Sequence, residues 1–125
     1  VLATGAVPVD IPQVPRDGRT VLDSKEFLDL GSVPPRLAVV GGGVIGLELG
    51  CMAARLGSRV VVLEALPDLL PAWEPELVQA LKKELDGLGV VVQTGARVHR
   101  VSLSEEGSAR LSAQGADGPF EVEAE

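Results

Sequence analysis

Leu37-Ala-Val-Val-Gly-Gly-Gly-Val-Ile-Gly-Leu-Glu-Leu-Gly50 is the stretch that decides the fold of this chain. Its first four residues form a continuous apolar run, which is typical of a strand buried on both faces of a parallel sheet. Three glycines break the run, and residues 44–56 then carry apolar side chains at helical spacing as far as Gly57. Those side chains are Ile45, Leu49, Met52, Ala53 and Leu56. The stretch therefore predicts a strand, a tight turn and a helix with these residues along its apolar side.

The alternation of strand and helix continues to residue 93. Arg59–Glu64 predicts a second buried strand, Pro75 suits the first position of a second helix, and Val90–Gln93 predicts a third strand. The apolar face of the second helix carries Leu77, Val78, Leu81 and Leu85. Residues 98–104, 109–114 and 120–124 then alternate between glycine-containing turns, which predicts an antiparallel meander. The expected fold class is α/β: a Rossmann-like parallel βαβαβ unit followed by a three-stranded antiparallel meander.

The residues before this unit have the composition of a connector. Prolines at positions 8, 12 and 15 predict an extended path, and Asp23 or Ser24 suits the cap of a short helix that ends by Leu30. Val1–Gly5 resembles the middle of a strand, and residues 119–125 alternate without a closing turn or cap. We therefore expect an internal piece of a longer protein.

Composition excludes several classes of function. The 125 residues carry a net charge of −7 and 2% aromatic residues, so neither the basic surface nor the stacking platform of a nucleic-acid binder is present. One cysteine and one histidine give no disulfide framework and no zinc cluster. No apolar run is long enough to span a membrane, and no signal peptide opens the chain. We expect an acidic intracellular module, located in the cytoplasm.

The turn Gly41-Gly42-Gly43-Val44-Ile45-Gly46 matches the GxGxxG pattern, and it lies between a predicted strand and a predicted helix, as dinucleotide binding requires. Gly41 permits the tight turn, Gly43 lets a pyrophosphate approach the backbone, and Gly46 lets helix and strand pack closely. The helix N-terminus offers N–H groups to the phosphates. The alternative is a cluster of packing glycines without a ligand.

Glu64 ends the second strand, 23 residues after Gly41. At about this offset an acidic side chain accepts hydrogen bonds from the adenosine ribose hydroxyls, and we include the following Ala65 in the candidate site. A carboxylate there repels a 2′-phosphate, and residues 65–72 contain no arginine to neutralise one. The sequence therefore favours NAD over NADP. The alternative is a solvated glutamate at a strand end.

Three further residues have a functional and an ordinary interpretation. Glu48 either faces the ligand or is merely favourable near a helix N-terminus. Cys51 fits a small apolar residue inside the helix, and His99 fits a surface position. No nucleophile–base pair and no metal-binding cluster is present in the sequence, so we expect this segment to bind and not to catalyse by itself.

The whole pattern resembles the NAD-binding domain of the FAD-dependent pyridine nucleotide–disulfide oxidoreductases, with the dihydrolipoamide dehydrogenases as the most similar branch. Four features carry the resemblance: Ala3-Thr4-Gly5 followed by Pro8, the helix start Asp23-Ser24, the motif from Val39 to Gly50, and Glu64 followed by Leu69-Leu70-Pro71.

The resemblance implies more than the residues alone indicate. It implies that residues 1–30 are a connector and strand leaving the FAD domain, and that residues 31–125 are an NAD-binding domain lacking its closing strand. It places Thr4 and Gly5 near FAD and Glu48 at the nicotinamide. The implied parent is a homodimeric NAD- and FAD-dependent oxidoreductase, and a 2-oxoacid dehydrogenase complex is a possible host. The redox-active CxxxxC pair and the His–Glu acid–base pair of the family are not in this segment.

Two alternatives stay open. The first is another member of the same family: a mercuric reductase, a soluble transhydrogenase, a glutathione reductase or an NADH oxidase. The second is a non-catalytic module that senses NAD(H), although the Thr4-Gly5 motif argues against it.

Overall fold

The computed structural model describes all 125 residues, which form three helices and six strands. The helices are α1 (Ser24–Leu28), α2 (Val44–Arg55) and α3 (Pro75–Gly87). The strands are β1 (Arg36–Val40), β2 (Arg59–Glu64), β3 (Val91–Thr94), β4 (Arg97–Leu103), β5 (Ala109–Gly115) and β6 (Gly118–Ala124). From β1 onward every predicted element is present with bounds within two residues of those expected. The predicted α/β fold class is confirmed.

The parallel sheet has the order β1-β2-β3. Arg36 of β1 is in register with Arg59 of β2, and Val61 of β2 with Val91 of β3. Strand β2 is central and is apolar on both faces, as its run of three valines and a leucine predicts. Strand β1 pairs with β2 along one side only, so its second edge is open within this sheet.

The two faces of the parallel sheet are covered by different layers. Val60 and Val62 belong to the core on the helix side, together with Leu47, Ala53, Val78 and Leu85. Leu63 belongs to a second core with Ala109 and Leu111 of the antiparallel sheet, whose order is β4-β5-β6. Alternate residues of β2 thus serve opposite layers, because successive side chains of a strand point to opposite faces.

The apolar side predicted for α2 is wrong for most of its members. Of the predicted residues only Ala53 is fully buried, while Ile45, Met52 and Leu56 are exposed. The buried face is formed by Leu47, Gly50 and Ala53. Small residues on this face let the helix approach the strands closely: a Cβ built on Gly50 would lie 3.5 Å from Val60 and 3.7 Å from Val39. The buried face of α2 is thus determined by the close approach of its glycine to the sheet, and not by where its larger apolar side chains lie.

Three other predictions differ from the structure. Leu77 of α3 is 56% exposed, so the buried face of that helix consists of Val78 and Leu85 with Leu81 partly buried beside them. The first 23 residues form no strand, because a strand needs a neighbour to pair with and none is present for this segment. Helix α1 ends at Leu28, two residues earlier than expected, and its cap is Asp23.

The longest helix has 13 residues, and none of the three combines the length and the apolarity that crossing a membrane requires.

Candidate functional site

The glycine turn, residues 41–43, connects the end of β1 to the start of α2. Gly41 has φ +111°, a value that L side chains rarely adopt, and its N–H donates to the Leu63 carbonyl at 2.9 Å. Gly43 is the N-cap of α2, and its carbonyl accepts the first helical hydrogen bond, from Leu47 N at 3.0 Å. The N–H groups of residues 43–46 make no hydrogen bond inside the protein. They form a donor group at the positive end of a 12-residue helix, which suits an anion.

Gly43 and Gly46 have opposite surroundings although they are three residues apart. A Cβ on Gly46 would overlap with the backbone carbonyl oxygen of Gly41 and would press on Val39. A Cβ on Gly43 would meet no protein atom within 4 Å, and Gly43 has φ −80°, which any residue adopts. Packing thus explains glycine at position 46, whereas at position 43 the protein itself offers no reason for it.

Glu64 lies against the glycine turn, as its position at the end of β2 predicts. Its Oε2 accepts a hydrogen bond from Gly42 N at 2.6 Å, and its Oε1 accepts one from Leu66 N at 2.7 Å. Each carboxylate oxygen has two lone pairs, so each keeps one for a further donor. The carboxylate therefore holds two backbone segments together and still has acceptor sites for further donors.

Sequence reasoning missed Leu69, which shapes the same site. Leu69 is fully buried, and a Cβ on Gly42 would overlap with its Cδ2. Leu70, the next residue, is buried and is the only non-glycine residue with a positive φ, at 44°. In the sequence, the pair Leu69-Leu70 before Pro71 contributes only to the family resemblance and predicts no contact with the glycine turn. Two adjacent leucines in a nominal loop were the available signal of a buried segment.

The β2–α3 loop, residues 65–74, is fixed at several points. Asp68 Oδ1 pairs with Lys82 Nζ of α3 at 2.6 Å and also accepts from Leu69 N at 2.7 Å. The Lys82 ammonium group, together with the Leu69 N–H, lowers the pKa of the Asp68 carboxyl. On the other side, the Leu66 carbonyl accepts from Gly95 N at 2.7 Å. The loop is thus tied to α3 through Asp68 and to the connection between β3 and β4 through Leu66.

A cleft of about 860 Å³ opens beside the glycine turn. One wall is formed by connector residues such as Pro8, Val9 and Ile11, and the other by β1 and the start of α2. The inner face of the antiparallel sheet contributes Val101 and Leu111. The cleft is mainly apolar and includes Gly41, Gly43, Val44, Ile45 and Gly46 along its rim.

The remaining predicted residues lie at different distances from this centre. Ala65 directly follows Glu64 and is exposed. Glu48 is exposed on α2 and makes no hydrogen bond or ion pair. Thr4 and Gly5 are exposed, make no hydrogen bond and do not line the cleft, so the structure does not join them to the glycine turn.

Two side chains with reactive potential lie elsewhere. Cys51 is half-buried in α2, and burial raises the pKa of its thiol, which disfavours the nucleophilic thiolate. His99 is exposed at an irregularity of β4. No group of three or more His, Cys, Asp or Glu side chains is arranged to hold a metal ion.

Comparison with known proteins agrees with this geometry. The chain is 42% identical to a dihydrolipoyl dehydrogenase of Chlorobaculum parvum over 125 residues, which cover 99% of this chain and 26% of that protein. It is 40% identical to a soluble pyridine nucleotide transhydrogenase of Mycobacterium tuberculosis over 122 residues, again covering 26% of the relative. The crystal structure of LpdA from Mycobacterium tuberculosis superposes with a TM-score of 0.80 at 30% identity, over 97% of this chain and 26% of that one.

The chain therefore spans about a quarter of the length of these relatives. A family model described as pyridine nucleotide-disulphide oxidoreductase matches residues 1–123. On the strength of this match and of the fold, the chain belongs to the pyridine nucleotide-disulphide oxidoreductase family.

Proposed function

We propose that residues 31–125 bind NAD(H) within a FAD-dependent oxidoreductase of the dihydrolipoamide dehydrogenase type. One observation carries this proposal: Gly43 lies in open space at the tip of four N–H donors that have no partner inside the protein. A glycine that packing does not require, placed at a helix N-terminus, is explained by a ligand that approaches the backbone closely.

Each part of the nucleotide has a candidate partner in the chain. The N–H groups of residues 43–46 would hold the pyrophosphate, and Glu64 would accept hydrogen bonds from the adenosine ribose, with Ala65 beside it. The carboxylate disfavours a 2′-phosphate by charge repulsion, which supports NAD over NADP. When bound, the nicotinamide supplies the hydride chemistry, and the chain contributes binding and orientation.

The other predicted positions concern the nicotinamide end of NAD(H) and the second cofactor, FAD. Glu48 lies on the exposed side of α2, near Ile45 and the cleft, which is compatible with a contact to the nicotinamide. We propose that residues 1–30 connect this unit to an FAD domain of the same protein, with Thr4 and Gly5 close to FAD in the assembled protein. Homodimerisation, membership of a 2-oxoacid dehydrogenase complex and a cytoplasmic location remain predictions about the whole protein.

A further strand is proposed to complete the parallel sheet beside β1. Glu125 N already donates to the Arg36 carbonyl at 3.0 Å on the open edge of β1. The Arg36 guanidinium also contacts the carboxylates of Glu123 and Glu125, at 3.2 and 2.6 Å. The apolar cleft along β1 offers room for a strand that continues this pairing.

A soluble transhydrogenase is a second candidate, because one relative with that name is as similar to the chain as the dehydrogenases are. The mercuric reductase, glutathione reductase and NADH oxidase assignments, and that of a non-catalytic NAD sensor, have no observation in their favour here.

The decisive experiment is calorimetric titration of the chain with NADH and, separately, with NADPH, after circular dichroism has established that it is folded. We expect binding of NADH and weaker binding of NADPH. A folded chain that binds neither nucleotide would contradict the proposal, and preferential binding of NADPH would contradict the role of Glu64. AMP serves as a matched ligand that lacks the pyrophosphate, and its affinity should be much lower than that of NADH.

A further inference from the structure

The β2–α3 loop brings together residues that no part of the nucleotide site explains. Asp68 and Lys82 form an ion pair at 2.6 Å, with side chains 51% and 31% exposed. Lys83, the next residue in α3, is exposed and forms no ion pair. Of these two neighbouring lysines, only Lys82 contacts the loop.

The ion pair acts on a buried residue next to it. The oxygen of Asp68 that contacts Lys82 also accepts the N–H of Leu69. Leu69 is fully buried, and its Cδ2 fills the space that a side chain on Gly42 would need. The Asp68 carboxylate thus holds the backbone of the residue whose side chain lies under the glycine turn.

Leu69 is in turn adjacent to the carboxylate of the nucleotide site. A Cβ on Gly42 would lie 3.1 Å from Glu64 Cβ and 3.2 Å from Glu64 Oε2. Gly42 is therefore packed tightly against both Glu64 and Leu69. Glu64 also bonds to Leu66 N, in the same loop as Asp68. The contacts run without interruption from Lys82 through Asp68 and Leu69 to Gly42 and Glu64.

The β2–α3 loop contains a strained residue, Leu70, whose conformation depends on contacts such as this ion pair. Leu70 holds φ at 44°, an unfavourable value for a leucine, which persists only when neighbouring contacts enforce it. Leu70 also precedes Pro71, which restricts its backbone further. Without the tie to α3 the loop has more alternative conformations, and nucleotide binding must then restrict them at a cost in affinity.

We propose that Lys82, through its ion pair with Asp68, is a positioning residue for the adenosine end of the nucleotide site. This inference rests on the proposed function. Lys82 touches no part of the proposed nucleotide position; it holds the β2–α3 loop so that Leu69 supports Gly42 and Glu64 points its carboxylate at the turn. The effect is on affinity and not on chemistry.

The test compares the full chain with its Lys82→Met, Lys82→Arg, Asp68→Asn and Lys83→Met variants by calorimetric titration with NADH and with ADP-ribose. An ion pair of this exposure has a small effect, so we expect Kd for both ligands to rise about two- to fivefold in Lys82→Met and Asp68→Asn. Lys82→Arg, which keeps the positive charge, should bind as the unmodified chain does. Lys83→Met should leave Kd unchanged.

A second measurement tests whether the charge of Lys82 carries the effect on affinity. In 1 M salt, where charges are screened within about 3 Å, the difference in Kd between the unmodified chain and Lys82→Met should shrink. An unchanged Kd in both Lys82→Met and Asp68→Asn would overturn the proposal, as would an equal loss in Lys83→Met. If the unmodified folded chain binds no dinucleotide, the proposed function itself has failed, and that result is distinct from the other two.

Discussion

The two loops that follow β1 and β2 meet at Gly42 but are built in opposite ways. The loop after β1 is three glycines long, and its shape depends on the absence of side chains: φ is +111° at Gly41, and Leu69 leaves no room for a Cβ at Gly42. The loop after β2 spans residues 65–74 and contains no glycine. Its shape depends on side chains that reach outside it, such as Leu69 to Gly42 and Asp68 to Lys82.

This contrast has a consequence for how each loop tolerates change. The glycine turn is disrupted by adding atoms: a side chain on Gly42 would overlap with Leu69, and a side chain on Gly41 would be strained at φ +111°. A loop fixed by side chains is disrupted by removing them. Substitutions of opposite kind should therefore damage the two loops.

Removing Leu69 should have the largest effect. Leu69→Ala leaves a cavity under the glycine turn, and a buried leucine truncated to alanine costs about 2–5 kcal/mol. Urea unfolding followed by circular dichroism measures this loss. Leu66→Ala, in the same loop but with a side chain 47% exposed, should stay within about 0.5 kcal/mol of the unmodified chain. Equal effects of the two substitutions would show that the loop is not fixed by Leu69.

Adding one methyl group at Gly46 should have the next largest effect. The Cβ of Gly46→Ala overlaps with the Gly41 carbonyl oxygen, and the backbone shift that relieves it costs about 1–3 kcal/mol. Gly50→Ala is the control in the same helix, because its Cβ would meet neighbours only at 3.5 Å or more. Since alanine is favoured over glycine in helices by about 1 kcal/mol, Gly50→Ala should be neutral or stabilising. A stable Gly46→Ala variant would contradict the packing assigned to this glycine.

The substitution Gly43→Val should affect binding and leave the fold intact. No protein atom lies within 4 Å of its Cβ, so the free energy of unfolding should fall only by the cost of a poorer N-cap for α2, about 1 kcal/mol. The side chain would occupy the space proposed for the pyrophosphate, so Kd for NADH should rise at least about tenfold, which is 1.4 kcal/mol. A folded variant with unchanged affinity would remove the pyrophosphate from this position.

Changing Glu64 should have the smallest effect and concerns the contact between the loops. Glu64→Gln keeps one carbonyl oxygen and replaces the other oxygen by a donor, so the buried N–H of Gly42 or that of Leu66 loses its partner. We expect Kd for NADH to rise about fivefold, at the low end of the penalty for an unsatisfied buried group.

The variant Glu64→Arg tests whether Glu64 both selects the nucleotide and holds the glycine turn. The positive charge should move the preference toward NADPH, yet the affinity for both nucleotides should fall because the Gly42 N–H is left without an acceptor. A complete exchange of preference at undiminished affinity would show that Glu64 only selects the nucleotide and does not hold the turn.

The sequence predicts the features of the molecule that local patterns determine, and it misses those that depend on contacts between separate elements. Gly41 and Gly46 were assigned their roles from spacing, because a glycine pattern between a strand and a helix has few structural solutions. Leu69 and Lys82 were missed, because their partners lie in other elements and no local pattern marks them. The prediction of the buried side of α2 was wrong for a related reason. Gly50 lies close to β1 and β2, and how closely the helix approaches them depends on the sheet and not on the helix.

The hydrogen bond from Glu125 to Arg36 has a consequence for how this chain folds during synthesis. It joins residues that are 89 positions apart in the sequence, as does the Arg36–Glu125 ion pair. Strand β1 is synthesised before β6, so the contacts on its open edge form only after β6 has left the ribosome. Loop closure over such a separation is slow, and an unpaired edge strand is a site of aggregation. Nascent chains that stop before β6 should therefore be the species that most need a chaperone.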